Sequence, residues 1–199
     1  HGGDIAIQAG DDALHAEAAS ALENGRKGKG DVTINGSGAQ LLLVCADDAI
    51  HADDPLTVHN GQIDILGCYE GLEATTVDIR GGSIEVYADD DGINASGCLG
   101  VSSPTVRISG GYLSVTVGNG DTDALDTNGL FELTGGTLVV RGSGQGMASA
   151  LDIERICSVT GGTLICSGNA ERLPTPTENC CMVVFGALSD GMGPGGKGP

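Results

Sequence analysis

The sequence predicts an all-β solenoid: a parallel β-helix of about seven coils, its aliphatic side chains lining one continuous inner column. Three observations predict it. First, an acidic turn recurs as "DDALHAE" (11–17), "DDAIHAD" (47–53), "YEGLEAT" (69–75), "DDGINAS" (90–96), "TDALDTN" (122–128) and a degenerate "ASALDIE" (148–154). Second, a Gly-rich corner lies between the turns, in "VHNGQIDIL" (58–66), "DIRGGSIEV" (78–86), "RISGGYLSV" (107–115), "ELTGGTLVV" (132–140) and "SVTGGTLIC" (158–166). Third, the 199 residues include 35 Gly and no Trp, with only 3% aromatic residues. Such a composition suits tight corners, and the lack of a G-X-Y period excludes collagen. The acidic turns step by 36, 22, 21, 32 and 26 residues, within the roughly 20–50-residue periods of repeat architectures.

Each repeat supplies three short strands. In the best-preserved one these are Val77-x-Ile79, Ile84-x-Val86-x-Ala88 and Ile93-x-Ala95. Apolar and polar residues alternate, so one face is buried and the other solvated. None is long enough to stand alone, but each can pair with its copies in the coils on either side. The Gly-Gly corners fit bends where a positive φ or a close backbone approach excludes a Cβ, and Gly92 makes the bend before Ile93. Farther upstream, "TINGSGAQLLLV" (33–44) is a looser copy of the corner.

Residues 13–25, "ALHAEAASALENG", have the spacing of a short helix with a Gly C-cap, but the copies of their first half favour a strand at 13–16. Residues 18–30 then form a loop insertion, and 97–104 a second one. The expected organisation is a single domain over 1–190 with a flexible Gly/Pro tail over 191–199. Of the seven Cys, Cys45, Cys157 and Cys166 fall at inward positions, where Cys acts as a small hydrophobe. Cys68 and Cys98 lie at turns, and Cys180-Cys181 lies past the last clear repeat.

Charge limits the partners. Nine Lys plus Arg stand against 27 Asp plus Glu, a formal net charge of −18. Phosphate backbones are repelled, which argues against nucleic acid as a partner. Cations, or ligands held through cations, are favoured. No apolar run is long enough to cross a bilayer, so membrane insertion is not expected. The chain begins at His1 in the middle of a repeat, without Met or a signal peptide, and reads as a mature form or an excised domain.

Stacking changes the meaning of the acidic turns. Residues one coil apart lie ~4.8 Å apart. Asp48, Glu70, Asp91 and Asp123, with Asp12 before them, form a column of carboxylates flanked by Asp11, Asp47 and Asp90. A second outward column runs His15, His51, Glu73, Asn94, Asp126 and Asp152. Like charges this close need protons or a cation between them. Calcium suits the site, because it accepts many oxygens in irregular geometry. Zinc is less favoured: 36 residues separate His15 from His51, and no Cys accompanies them. The competing reading treats the acids as solvated turn formers.

The succession "DDAIHAD…LTVHNGQIDI…YEGLEATTVDIRGGSIEVYADDDGINAS", followed by "DALDTNGLFELTGGTLVVRGSGQGM", resembles a bacterial family of secreted carbohydrate-binding proteins over roughly residues 1–168. The resemblance implies a right-handed parallel β-helix that carries calcium and binds cellulose-like and acidic, pectin-type polysaccharides. It implies secretion or display on a bacterial cell surface. It also makes Asp47, Asp48, Glu70, Asp90, Asp91 and Asn94 the best calcium positions. The leading expectation is a noncatalytic polysaccharide-binding module. Glu73, Asn94 and Asp126 would face the ligand, with Tyr69 and Tyr87, and also Tyr112, available for stacking. The alternatives are a calcium-dependent polysaccharide lyase and a structural or adhesive solenoid stabilised by calcium. A lyase needs a Lys or Arg base. Arg26, Lys27 and Lys29 sit in the insertion, and Arg80, Arg107 and Arg141 flank the Gly corners.

Overall fold

The computed structural model describes residues 2–18, 29–97, 103–143, 148–170, 172–174, 177 and 180–185, the last group by its backbone. The molecule is all-β, with no helix among these residues. Sixteen strands join into one curled sheet, and every pairing between them is parallel. The strands are β1 (Gly3–Gln8), β2 (Leu14–Ala16), β3 (Val32–Val44), β4 (Ile50–Gly67), β5 (Leu72–Ile79), β6 (Ser83–Ala88), β7 (Ile93–Ala95) and β8 (Thr105–Ile108). They continue with β9 (Tyr112–Val117), β10 (Asp126–Thr127), β11 (Leu130–Leu133), β12 (Thr137–Arg141), β13 (Asp152–Ile153), β14 (Ile156–Val159), β15 (Gly162–Ser167) and β16 (Cys180–Phe185).

Pairing sorts them into three stacks. The first, directly after the acidic turns, runs β2, β4, β5, β7, β10, β13. The second runs β3, β4, β5, β8, β11, β14. The third, after the Gly corners, runs β1, β3, β4, β6, β9, β12, β15, β16. The looser corner of residues 33–44 appears as register shifts between β3 and β4 at Ile34/Asn35 and Asn35/Gln40.

Alternation does the folding work. Val77, Ile79, Ile84, Val86, Ala88, Ile93 and Ala95 are all buried, as their period-two spacing requires. They belong to one apolar core that runs from Leu43 to Ala170, with Phe131 its largest fully buried side chain. Burying each Leu, Ile or Phe contributes about 1.5–3 kcal/mol. The core thins at the amino-terminal end, where Ile5 on β1 is 59% exposed.

The two corner glycines have different duties. Gly111 sits at φ +81°, a conformation that side chains strain to adopt. Gly110 has no such φ, but a Cβ there would lie 2.5 Å from the Arg80 carbonyl oxygen of the preceding coil. Gly92 is likewise a matter of space rather than of φ. A Cβ there would strike Val115 and come within 2.8 Å of the Ala124 carbonyl oxygen.

Three features go beyond what the repeats alone predict. Cys68 lies at a turn as expected, between β4 and β5, and is also buried in the core, where its thiol hydrogen-bonds the Tyr87 carbonyl at 3.5 Å. Cys180 and Cys181, placed beyond the last repeat, open β16, which pairs with β15 in register Gly162↔Cys180. β1 adds a strand upstream of the first recognised corner. The strand expected at 13–16 is present as β2. The 18–30 insertion falls largely outside the described residues, as do most of 97–104, Cys98, Arg26, Lys27 and the 191–199 tail.

Candidate functional site

Two rows of polar side chains run along the first stack. The inner row belongs to the turns. The N–H of the residue after each turn acid donates to the carbonyl of the turn residue in the next repeat of the stack: Ala13 to Asp48, Ala49 to Glu70, Gly71 to Asp91, Gly92 to Asp123 and Ala124 to Ser149, at 2.9–3.0 Å. The carboxylates add rungs of their own. Asp12 Oδ1 accepts the Asp48 N–H (3.0 Å), Asp91 Oδ1 the Asp123 N–H (2.8 Å) and Asp123 Oδ1 the Ser149 N–H (2.6 Å). A short acidic side chain reaches each of these N–H groups in the turns, and that of Ser149 is shared with the Thr122 carbonyl at 3.2 Å. One oxygen of each of these three acids is therefore structural. This role was not foreseen from the sequence.

The outer row is in strict register: His15, His51, Glu73, Asn94, Asp126 and Asp152 are successive partners. The repeat alignment gave this same row. The structure brings together Asp11, Asp12 and Asp47; Asp12, His15 and His51; and Asp48, His51 and Glu73. It also joins Glu70 to Asn94, whose Nδ2 donates to Glu70 Oε2 at 3.1 Å. Tyr69 lies against Asp90, which raises its phenol above the ordinary value. Tyr87 and Tyr112 belong to the third stack, on β6 and β9, away from the two acidic rows. All three tyrosines are exposed.

The electrostatics are strained along both rows. Burial, before any other cause, pushes Glu70 up to about 7, with Asp48, Asp91 and Asp90 adding to it and the Asn94 amide opposing. Burial and then the charges of Asp126, Asp123 and Asp90 outweigh the Asp123 N–H bond and put Asp91 at about 7. Asp126, buried and facing Asp152 and Asp123, also reaches about 7, and Asp123 about 6, mainly through burial. Glu73 rises to about 8 from burial, a hydrogen bond with Asp48 and the Glu70 charge. For His51, burial favours the neutral ring, but the Asp48 hydrogen bond and the charges of Glu73 and Asp48 win and raise it.

One atom marks the middle of this field. Asn94 Oδ1 is buried and has no hydrogen-bond partner. It sits in the outer row between Glu73 and Asp126. An oxygen of this kind, amid carboxylates held partly neutral, fits a hard cation that takes amide and carboxylate oxygens together. Glu70, bonded to Asn94, and Asp91 and Asp126, whose charges act on one another and on Glu70, are the residues that would have to close on such an ion.

The arginines lie elsewhere. Arg80 grips Asp78 through Nε and Nη2 (2.9 and 2.6 Å), Arg107 pairs with Glu132 (2.8 Å), and Arg141 donates to Ser114 (2.8 Å). Asp78, Arg107 and Glu132 are neighbours in the second stack, not the first. Among the described candidate bases for a lyase, Arg80, Arg107 and Arg141 are thus engaged and lie outside the first stack.

No curated protein and no solved structure matches the chain. A family model for carbohydrate-binding domain-containing proteins matches residues 27–172, well over half the chain and most of all three stacks. By that match the chain belongs to the carbohydrate-binding domain-containing protein family.

Proposed function

We propose that the protein is a noncatalytic, calcium-dependent carbohydrate-binding module for plant-type polysaccharides of acidic, pectin-like or cellulose-like character. The observation that carries this reading is the buried, unpartnered Asn94 Oδ1 among Glu70, Asp91 and Asp126. Bound there, calcium would supply positive charge that lets a uronate carboxylate approach an otherwise repulsive face. Asp11, Asp12, Asp47, Asp48, Asp90 and Asp123 extend the negative field along the turns. Glu73, Asn94 and Asp126 present the outer row to the sugar. Tyr69 and Tyr87 offer single aromatic faces rather than a flat platform, which favours a flexible acidic chain over a crystalline surface. A module of this kind works outside the cell or on a bacterial surface, and its three strand stacks would form a right-handed parallel β-helix of about seven coils. The position of the arginines supports binding without cleavage.

The test is retention of the chain on polygalacturonate with calcium and with EDTA. Retention in calcium that is lost in EDTA is expected, and equal retention overturns the bridging role. Release of unsaturated uronides would replace the module with a lyase.

A further inference from the structure

We propose that the amino-terminal end of the outer row is a second kind of metal site, taking one borderline transition ion of the zinc class on the imidazoles of His15 and His51 and the carboxylates of Asp12, Asp48 and Glu73. The proposal does not rest on the calcium reading.

The outer row changes chemistry along its length. Toward the carboxyl-terminal coils it offers only oxygen, from Asn94, Asp126 and Asp152, whereas its first two positions are histidines. The 36 residues between them in sequence disappear in the stack. The rings lie 4.5 Å apart, only 21° from parallel. Each His Nδ1 faces the acid three residues before it: His15 to Asp12 Oδ2 at 2.8 Å, His51 to Asp48 Oδ2 at 2.9 Å. His51 Nδ1 also lies 2.9 Å from Glu73 Oε2. One ring nitrogen can give one proton along one direction, yet two carboxylate oxygens converge on it. A divalent ion at that convergence would use all three donors.

The surroundings are those of a supported site. Asp12 and Asp48 are nearly buried, with side chains 12% and 10% exposed. Asp12 is fixed by its other oxygen, which accepts the Asp48 N–H. On the far side of the ring, His51 Nε2 lies 3.5 Å from Asp53 Oδ1, while Asp53 Oδ2 accepts the Ala18 N–H at 2.7 Å. An anchored carboxylate behind a ligating imidazole fixes its tautomer and orientation. Donor atoms within the Asp12–His15–His51 and Asp48–His51–Glu73 trios lie within 4.8 Å of one another. Bonds of ~2.0–2.2 Å in a tetrahedral shell drawn from four of these groups set donors roughly 3.3–3.5 Å apart, so the pairs at 2.8–2.9 Å open by about 0.5 Å and any pair near the 4.8 Å limit closes by about 1 Å. A cleft of about 60 Å³ beside His51, Asp53 and Glu73 leaves them room to do so. Imidazole nitrogen suits zinc, copper or nickel, whereas calcium selects oxygen.

The experiment titrates zinc ion into the full, chelator-treated chain against a chromophoric competitor, with and without excess calcium. It is repeated for His15→Gln, His51→Gln and, as a control in the carboxyl-terminal part of the row, Asp126→Asn. One equivalent of zinc is expected to bind irrespective of calcium. Each histidine variant should lose at least about tenfold in affinity, and D126N should keep it. Side-chain nitrogen NMR should shift the His15 and His51 resonances on adding zinc and not on adding calcium. Circular dichroism of each variant separates lost ligands from lost fold. Absence of zinc binding, displacement by calcium, or undiminished affinity in folded H15Q and H51Q would each overturn the proposal.

Discussion

The inner and outer faces of the first stack use the same spacing to opposite effect. Inward, Ile50, Leu72 and Ile93 repeat an apolar group and bury it completely. Outward, one residue along, His51, Glu73, Asn94 and Asp126 repeat polar groups; His51 meets Glu73 at 2.9 Å, but Asn94 Oδ1 is left without a partner and Asp126 faces further acids. A parallel register multiplies whatever a repeat carries. Apolar groups gain from having their own kind as neighbours, while charges lose. The inner face therefore holds the fold, and the outer face stores an unmet demand for protons or cations.

The comparison is broken most severely from within. Ile93→Ala leaves a cavity in the core and should cost about 2–5 kcal/mol, a Tm fall of about 2–4 °C per kcal/mol in a chain of this size. Thermal melts monitored by circular dichroism measure it. The outer face should respond to pH. Glu70, Asp91, Asp126, Asp123 and Glu73 bind protons more tightly folded than their ordinary values of 3.8 for Asp and 4.5 for Glu allow unfolded. Their stabilisation is complete below about pH 4 and is lost as pH rises through 6 to 8. In chelator, Tm should fall from pH 5 to pH 8, and calcium should remove most of the fall. Asp91→Asn keeps an oxygen for the Asp123 N–H and removes the charge, so it should raise the chelator Tm at pH 8 while weakening calcium binding. Scanning calorimetry in chelator and in calcium reads both effects. The smallest change should come from Arg107→Ala. Its pair with Glu132 is exposed, worth under about 1 kcal/mol, and the melt should move by no more than about 4 °C.

Much of this was legible because the register of stacked parallel strands follows from repeats alone. The row from His15 to Asp152 and the buried set around Ile84 and Ile93 need only alignment. What was not legible depended on three-dimensional detail. An aspartate that accepts an N–H from the next coil reads like any turn aspartate, so the structural oxygen of Asp12, Asp91 and Asp123 was hidden. β16 escaped because "ENCCMVVFG" carries neither an acidic turn nor a Gly corner. Cys68 was rightly read at a turn, but its burial was hidden because a turn residue can still point into the core. The paired histidines were in the right row, but their 36-residue separation concealed how closely the rings stack.

The buried thiols give this architecture a built-in clock. Burial raises Cys68 and Cys157 to about 12 and Cys166 to about 11, so in the folded sheet they remain protonated and slow to alkylate. Cys68 follows β4 in the amino-terminal part of the sheet, whereas Cys157 and Cys166 lie on β14 and β15 in its carboxyl-terminal part. The order in which they are labelled would time how each end frays, without any reporter being added.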